Sequence, residues 1–123
     1  MIKALLMVGL GGGAGSMLRY LIQKWTQNTI VTSFPVGTFA INIVGCFLVG
    51  LFWGWFARSM HWNEELKSLL ITGFCGGFTT FSAFTLESMG LLKEDKTNLF
   101  LIYIGGSLIA GLLATYTGLR LAK

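Results

Sequence analysis

The sequence predicts an all-α membrane protein: one transmembrane domain over residues 1–123, with four transmembrane helices and a break in the third. Three observations carry this. First, hydrophobic residues make up 54% of the 123 and charged residues only 11%, whereas soluble domains carry roughly 25% charged residues. A soluble fold this small exposes much of its surface, and too few polar side chains are present to coat one. Second, the charges cluster and leave residues 4–18, 25–57, 68–86 and 97–119 without Asp, Glu, Lys or Arg. A span needs about 20 mostly apolar residues. Third, the third window contains "GFCGGFTTFSAF" (73–84). Its glycines and hydroxyls make a weak helix centre, since Gly costs about 1 kcal/mol against Ala.

The first window is short. A span of about 4–24 is reached if Arg19 snorkels from the helix end. A cleavable signal peptide is the competing reading, because residues 11–16 imitate a small-residue cleavage site; no soluble segment follows that would need export. The second span, about 36–57, begins after Pro35, and the third and fourth cover about 67–89 and 97–120. Four spans put both termini on one side. That side holds Lys3, Arg58, Lys67, Arg120 and Lys123, and the other holds Arg19, Lys24, Lys93 and Lys96. An excess of Lys and Arg on the cytoplasmic side normally sets orientation, and here the split is nearly even. Either the weak bias fixes one orientation, or the chain inserts both ways and builds an antiparallel two-fold dimer.

Small residues recur four apart at Gly9/Gly13, Gly11/Gly15, Gly50/Gly54, Gly73/Gly77 and Ala114/Gly118. In lipid, helices associate by close backbone approach across such residues. Both intrachain seams and dimer grooves fit the pattern.

Several function classes fall away. "GLGGGA" (9–14) matches a dinucleotide fingerprint, but no Asp or Glu precedes Glu64, so the ribose partner is missing. Cys46 and Cys75 lie far apart in different spans and read as packing residues. His61 falls in a loop. With no metal-ligand cluster and no nucleophile–base pair, an enzyme is not expected. No basic run suits nucleic acid. Arg19 and Glu87 sit near span ends, so mid-span chemistry is left to neutral groups. Thr38 and Asn42 are four apart, as are Tyr103 and Ser107. Thr79, Thr80 and Ser82 surround the break, with Phe81 and Phe84 on one helical face. One reading is hydrogen-bond glue, at about 0.6 kcal/mol per contact, with the Phe pair facing lipid or core. The other is a narrow path for a small ion, lined by N–H and O–H donors and by positive aromatic ring edges. Broken backbone at membrane depth survives only when buried or lining a cavity, and its freed carbonyls suit a cation.

Three motifs carry a resemblance across nearly the whole chain: "GGGAGSMLRY" (11–20), "PVGTFAINIVGCFLVG" (35–50) and "GFCGGFTTFSAFTLE" (73–87). With these the chain resembles the Fluc/CrcB family of fluoride channels. The resemblance implies an antiparallel, dual-topology homodimer in the bacterial inner membrane, in contact with lipid and carrying two fluoride pores. It also implies passive export of fluoride that entered acidified cells as HF. Asn42 would project into the pore, and Phe81 and Phe84 would offer ring edges to fluoride. Thr38, Thr80, Ser82, Glu87, Tyr103 and Ser107 would fall on or beside the polar track. Backbone carbonyls of Gly76 and Thr79 from both subunits would hold a central Na⁺. Arg19 would match a basic position at the end of the first span. Two rival readings are a small multidrug-resistance-type four-helix exporter, which needs a membrane carboxylate that the first span lacks, and a non-transporting membrane assembly subunit.

Overall fold

The computed structural model describes residues 1–58 and 63–122; His61 and Lys123 lie outside them. Four helices are long and apolar enough to cross a membrane. The first is α1 (Ile2–Thr29) and the second α2 (Val36–Arg58). The third span, Glu64–Lys93, is divided: α3 covers residues 64–78 and α4 is Ser82–Lys93. The last is α5 (Thr97–Leu121). The expected break is present. Within α3, Ser68–Cys75 winds as a π-helix, a wide geometry that no residue pattern announced.

The helix ends follow local chemistry. Pro35 precedes α2 directly and cannot continue a helix from its amino side. Asn63 caps α3 by accepting a hydrogen bond from the Leu66 amide at 2.8 Å. α4 ends in a tight reversal: Asp95 takes φ 59°, the Asp95 amide donates to the Leu92 carbonyl, and the Lys96 amide donates to the Leu91 carbonyl. This is the paired closure usually built on glycine, and Asp is one of the few other residues that tolerates it.

Apolar residues face outward as well as inward. The largest fully buried side chains are Tyr103, Ile41 and Thr38, while Leu10, Leu112 and Leu113 stand mostly exposed. Polar groups inside and leucines outside are what a lipid solvent requires.

Two seams hold the bundle, and four of the five small-residue pairs contribute to them. Against α1, a Cβ on Gly11 would overlap the Leu69 carbonyl oxygen, and one on Gly15 the Phe74 carbonyl oxygen. Against α5, a Cβ on Gly118 would overlap the Phe47 carbonyl oxygen. These are intrachain contacts. Gly9 and Gly13, in contrast, have open space where a Cβ would stand. Gly118→Val is therefore expected to cost about 3 kcal/mol through overpacking. Recovery of monodisperse protein by size-exclusion chromatography checks it, and an unchanged yield would refute the seam.

One expectation needs correction. α1 runs on to Thr29, so Arg19 sits well inside the helix and not at its end. It does not snorkel outward. Its Nε donates to the Gly77 carbonyl at 3.1 Å, because the nearby helix break offers an acceptor within its reach.

Candidate ion pathway

The break is held open by side chains. The Thr80 amide would ordinarily bond the Gly76 carbonyl in a continuing helix. It donates instead to Asn42 Oδ1 at 2.9 Å, while Asn42 Nδ2 donates to the Thr80 carbonyl at 3.1 Å. Asn42 thus grips one peptide unit from both sides. The Ala83 amide, the helical donor for the Thr79 carbonyl, turns to Thr80 Oγ1 at 3.2 Å. Two carbonyls, Gly76 and Thr79, lose their usual donors in this way. They are the two carbonyls for which the family resemblance implied a cation.

The remaining polar groups at the break are tied locally. Thr79 Oγ1 donates to the Cys75 carbonyl at 2.9 Å. Ser82 Oγ lies 3.4 Å from Thr80 Oγ1 and is exposed. The Gly77 carbonyl is taken by Arg19 and, at 3.4 Å, by Ser16. Thr79, Thr80 and Arg19 are therefore all hydrogen-bonded at the break, and Arg19 approaches it from the α1 side.

A cavity of about 380 Å³ opens beside the break, lined in part by Asn42, Thr80, Phe81, Phe84 and Ser107. Among the described residues no Lys or Arg lines it. Ser107 Oγ is buried there without a hydrogen-bond partner, a costly state for a hydroxyl in an apolar setting. Asn42 has one N–H left after gripping Thr80. Phe81 is 76% exposed and its ring centroid lies 5.9 Å from that of Phe84.

Beyond Phe84 the polar groups continue. Its ring lies 4.9 Å from Tyr103, tilted by 57°. The Tyr103 hydroxyl donates to Glu87 Oε1 at 3.1 Å, and Thr38 Oγ1 donates to Glu87 Oε2 at 2.9 Å. Gln23 Nε2 then donates to Thr38 Oγ1 at 3.1 Å. A second cavity of about 150 Å³ begins here, lined by Gln23, Thr38 and Glu87 among others. A third, of about 210 Å³, shares Glu87 and Ser33 with it. The spacing logic is visible on three helices: Thr38 and Asn42 on α2, Phe84 and Glu87 on α4, Tyr103 and Ser107 on α5. Each pair is one turn apart, so two rungs stack along one line.

Two participants were not singled out by the sequence. Gln23 sits beside Lys24, where the span was taken to end, and Ser16 lies among packing glycines. The signal that would have found Gln23 is an uncharged amide one turn from the true end of a longer helix.

Comparison with known proteins fits this geometry. A family model described as "CrcB-like protein, Camphor Resistance (CrcB)" matches residues 6–119. A Flavobacterium psychrophilum protein named "Fluoride-specific ion channel FluC" is 45% identical, with 99% of this chain and 98% of that one covered. Proteins of the same name from Phocaeicola vulgatus and Rhizobium etli are 44% and 43% identical, covering 99% and 100% of this chain and 100% and 98% of theirs. With four apolar spans and a match over almost its full length, the chain belongs to the CrcB family of multi-pass membrane proteins.

Proposed function

We propose that this chain is one subunit of a fluoride channel that lets cytoplasmic fluoride leave the cell passively. The observation that carries the reading is the unpartnered, buried hydroxyl of Ser107, a residue that lines a cavity whose other polar groups are neutral. A small anion would satisfy it, with the spare Asn42 N–H and the rims of Phe81 and Phe84 completing the shell. Tyr103, Thr38 and Glu87 carry the track onward. The names of the relatives supply fluoride as the ion. Glu87 does offer a proton-coupled exporter a membrane carboxylate, but both its oxygens are engaged by Thr38 and Tyr103. The test is fluoride efflux from reconstituted liposomes, read by an ion-selective electrode with chloride as control. Fluoride leaving with little chloride is expected; sound liposomes that retain their fluoride would defeat the reading.

The working unit is an antiparallel homodimer with two pores. The exposure of Phe81 and Gly76 beside an open cavity supports a second copy covering that face. The near-even distribution of Lys and Arg supports insertion in both directions. A tag placed after Lys123 should then be labelled from both faces of the membrane, and labelling from one face only would reject dual insertion.

The Gly76 and Thr79 carbonyls, freed as described, fit a hard cation that takes oxygen ligands. Na⁺ held by these carbonyls from two subunits would supply a fixed positive charge and join the copies. Replacing Na⁺ with N-methylglucamine should therefore lower the melting temperature of the purified dimer. A melting temperature indifferent to Na⁺ would remove the cation from this account.

A further inference from the structure

The polar ladder has a gap. On α5, Tyr103 and Ser107 are followed one turn later by Gly111, which has no side chain to offer. On α2, Thr38 and Asn42 are followed one turn later by Cys46. The structure brings these two positions together: Cys46 Sγ lies 3.4 Å from where a Gly111 Cβ would stand. The thiol therefore occupies the space that the glycine leaves. Cys46 also lines the same cavity as Asn42, Phe84 and Ser107, and the unpartnered, buried Ser107 hydroxyl lies one turn back on the facing helix. The Cys46 backbone is fixed, since its carbonyl accepts from Thr115 Oγ1 at 3.1 Å. Its sulfur is in no disulfide.

We infer that Cys46 is the next group of the ion path beyond Ser107, and that its thiol makes the path a site of covalent thiol modification. This rests on the channel reading above. A thiol is a weak donor that can continue a line of neutral hydrogen-bonding groups, and its polarizable sulfur packs closely against a helix backbone bared by glycine. Serine at this position would preserve the donor. A disulfide-linked adduct would fill the path at this rung. Cys75 lines the same cavity but is only 3% exposed, so it serves as an internal comparison.

The experiment uses the reconstituted dimer and benzyl methanethiosulfonate, a neutral, membrane-permeant reagent. The Cys46 thiolate attacks the reagent's divalent sulfur. An S–S bond forms, the bond from that sulfur to the sulfonyl group breaks, methanesulfinate leaves with the electron pair, and the thiol proton passes to water. Peptide mass mapping reads which cysteine carries the benzylthio group, and the electrode reads efflux. The expected result is labelling of Cys46 with loss of fluoride efflux. Whatever its own rate, Cys46→Ser should show the same efflux with and without the reagent. Absence of label on Cys46, labelled protein that conducts normally, or a Cys46→Ser protein that is still blocked would each overturn the inference. Fluoride efflux before treatment tests the channel reading separately, so failure of the two can be told apart.

Discussion

Asn42→Ala is expected to abolish fluoride efflux and to lower stability by about 2 kcal/mol, the cost of leaving buried backbone polar groups unpaired. Asn42 is the only side chain bonded to both the amide and the carbonyl of Thr80 among the described residues. Without it, the Thr80 amide is free to return to the Gly76 carbonyl, its ordinary helical acceptor. The break then begins to close, and a carbonyl proposed for Na⁺ is lost together with the amide that faces the cavity. Asn42→Asp separates the two jobs: it keeps the acceptor for the Thr80 amide, drops the donor to its carbonyl, and places negative charge against an anion path. It should retain more stability than the alanine variant while still blocking efflux. Thermal melts in Na⁺ buffer and electrode-read efflux check both, and an alanine variant that conducts like the parent would sink the role given to Asn42.

This pairing also marks how far the sequence could be read. The four spans were legible because lipid excludes charge, so charge-free windows outline helices directly. The break was legible too, since Gly76, Gly77 and the hydroxyls after them weaken a helix locally. What holds the break open was not. Asn42 meets the backbone of a residue 38 positions away, and backbone groups leave no side-chain pattern to recognise. The same blindness explains Arg19. Snorkelling takes the nearest water as the only relief for a buried cation, whereas the Gly77 carbonyl supplied relief inside the bundle. Gln23 was passed over because Lys24 was read as the edge of the membrane, although α1 continues to Thr29. The π-wound stretch of α3 had no signal in composition at all. Spacing paired Thr38 with Asn42 and Tyr103 with Ser107; only the resemblance implied that Thr38, Tyr103 and Glu87 share a track, and neither could show that Glu87 accepts from both.

Phe84→Ile and Phe81→Ile should each reduce fluoride efflux by about tenfold, which corresponds to about 1.4 kcal/mol in the barrier, while leaving the dimer intact by size-exclusion chromatography. Isoleucine keeps apolar bulk and removes the ring, whose rim is positive and whose face is negative. A packing role would tolerate that exchange, and a role in meeting an anion would not. The positions differ in a way that sharpens the comparison. Phe84 is half-buried, with its ring 4.9 Å from Tyr103 and 5.9 Å from Phe81, so it stands between the cavity at the break and the Glu87 rung. Phe81 is 76% exposed in the single chain, and in the proposed dimer a second copy would enclose that face. The Phe81 variant thus tests the dimeric pore, and the Phe84 variant tests the path within one subunit. Loss of flux at Phe84 alone would confine conduction to one chain's track. Normal conduction by both variants would show that the aromatic rims do not meet the ion.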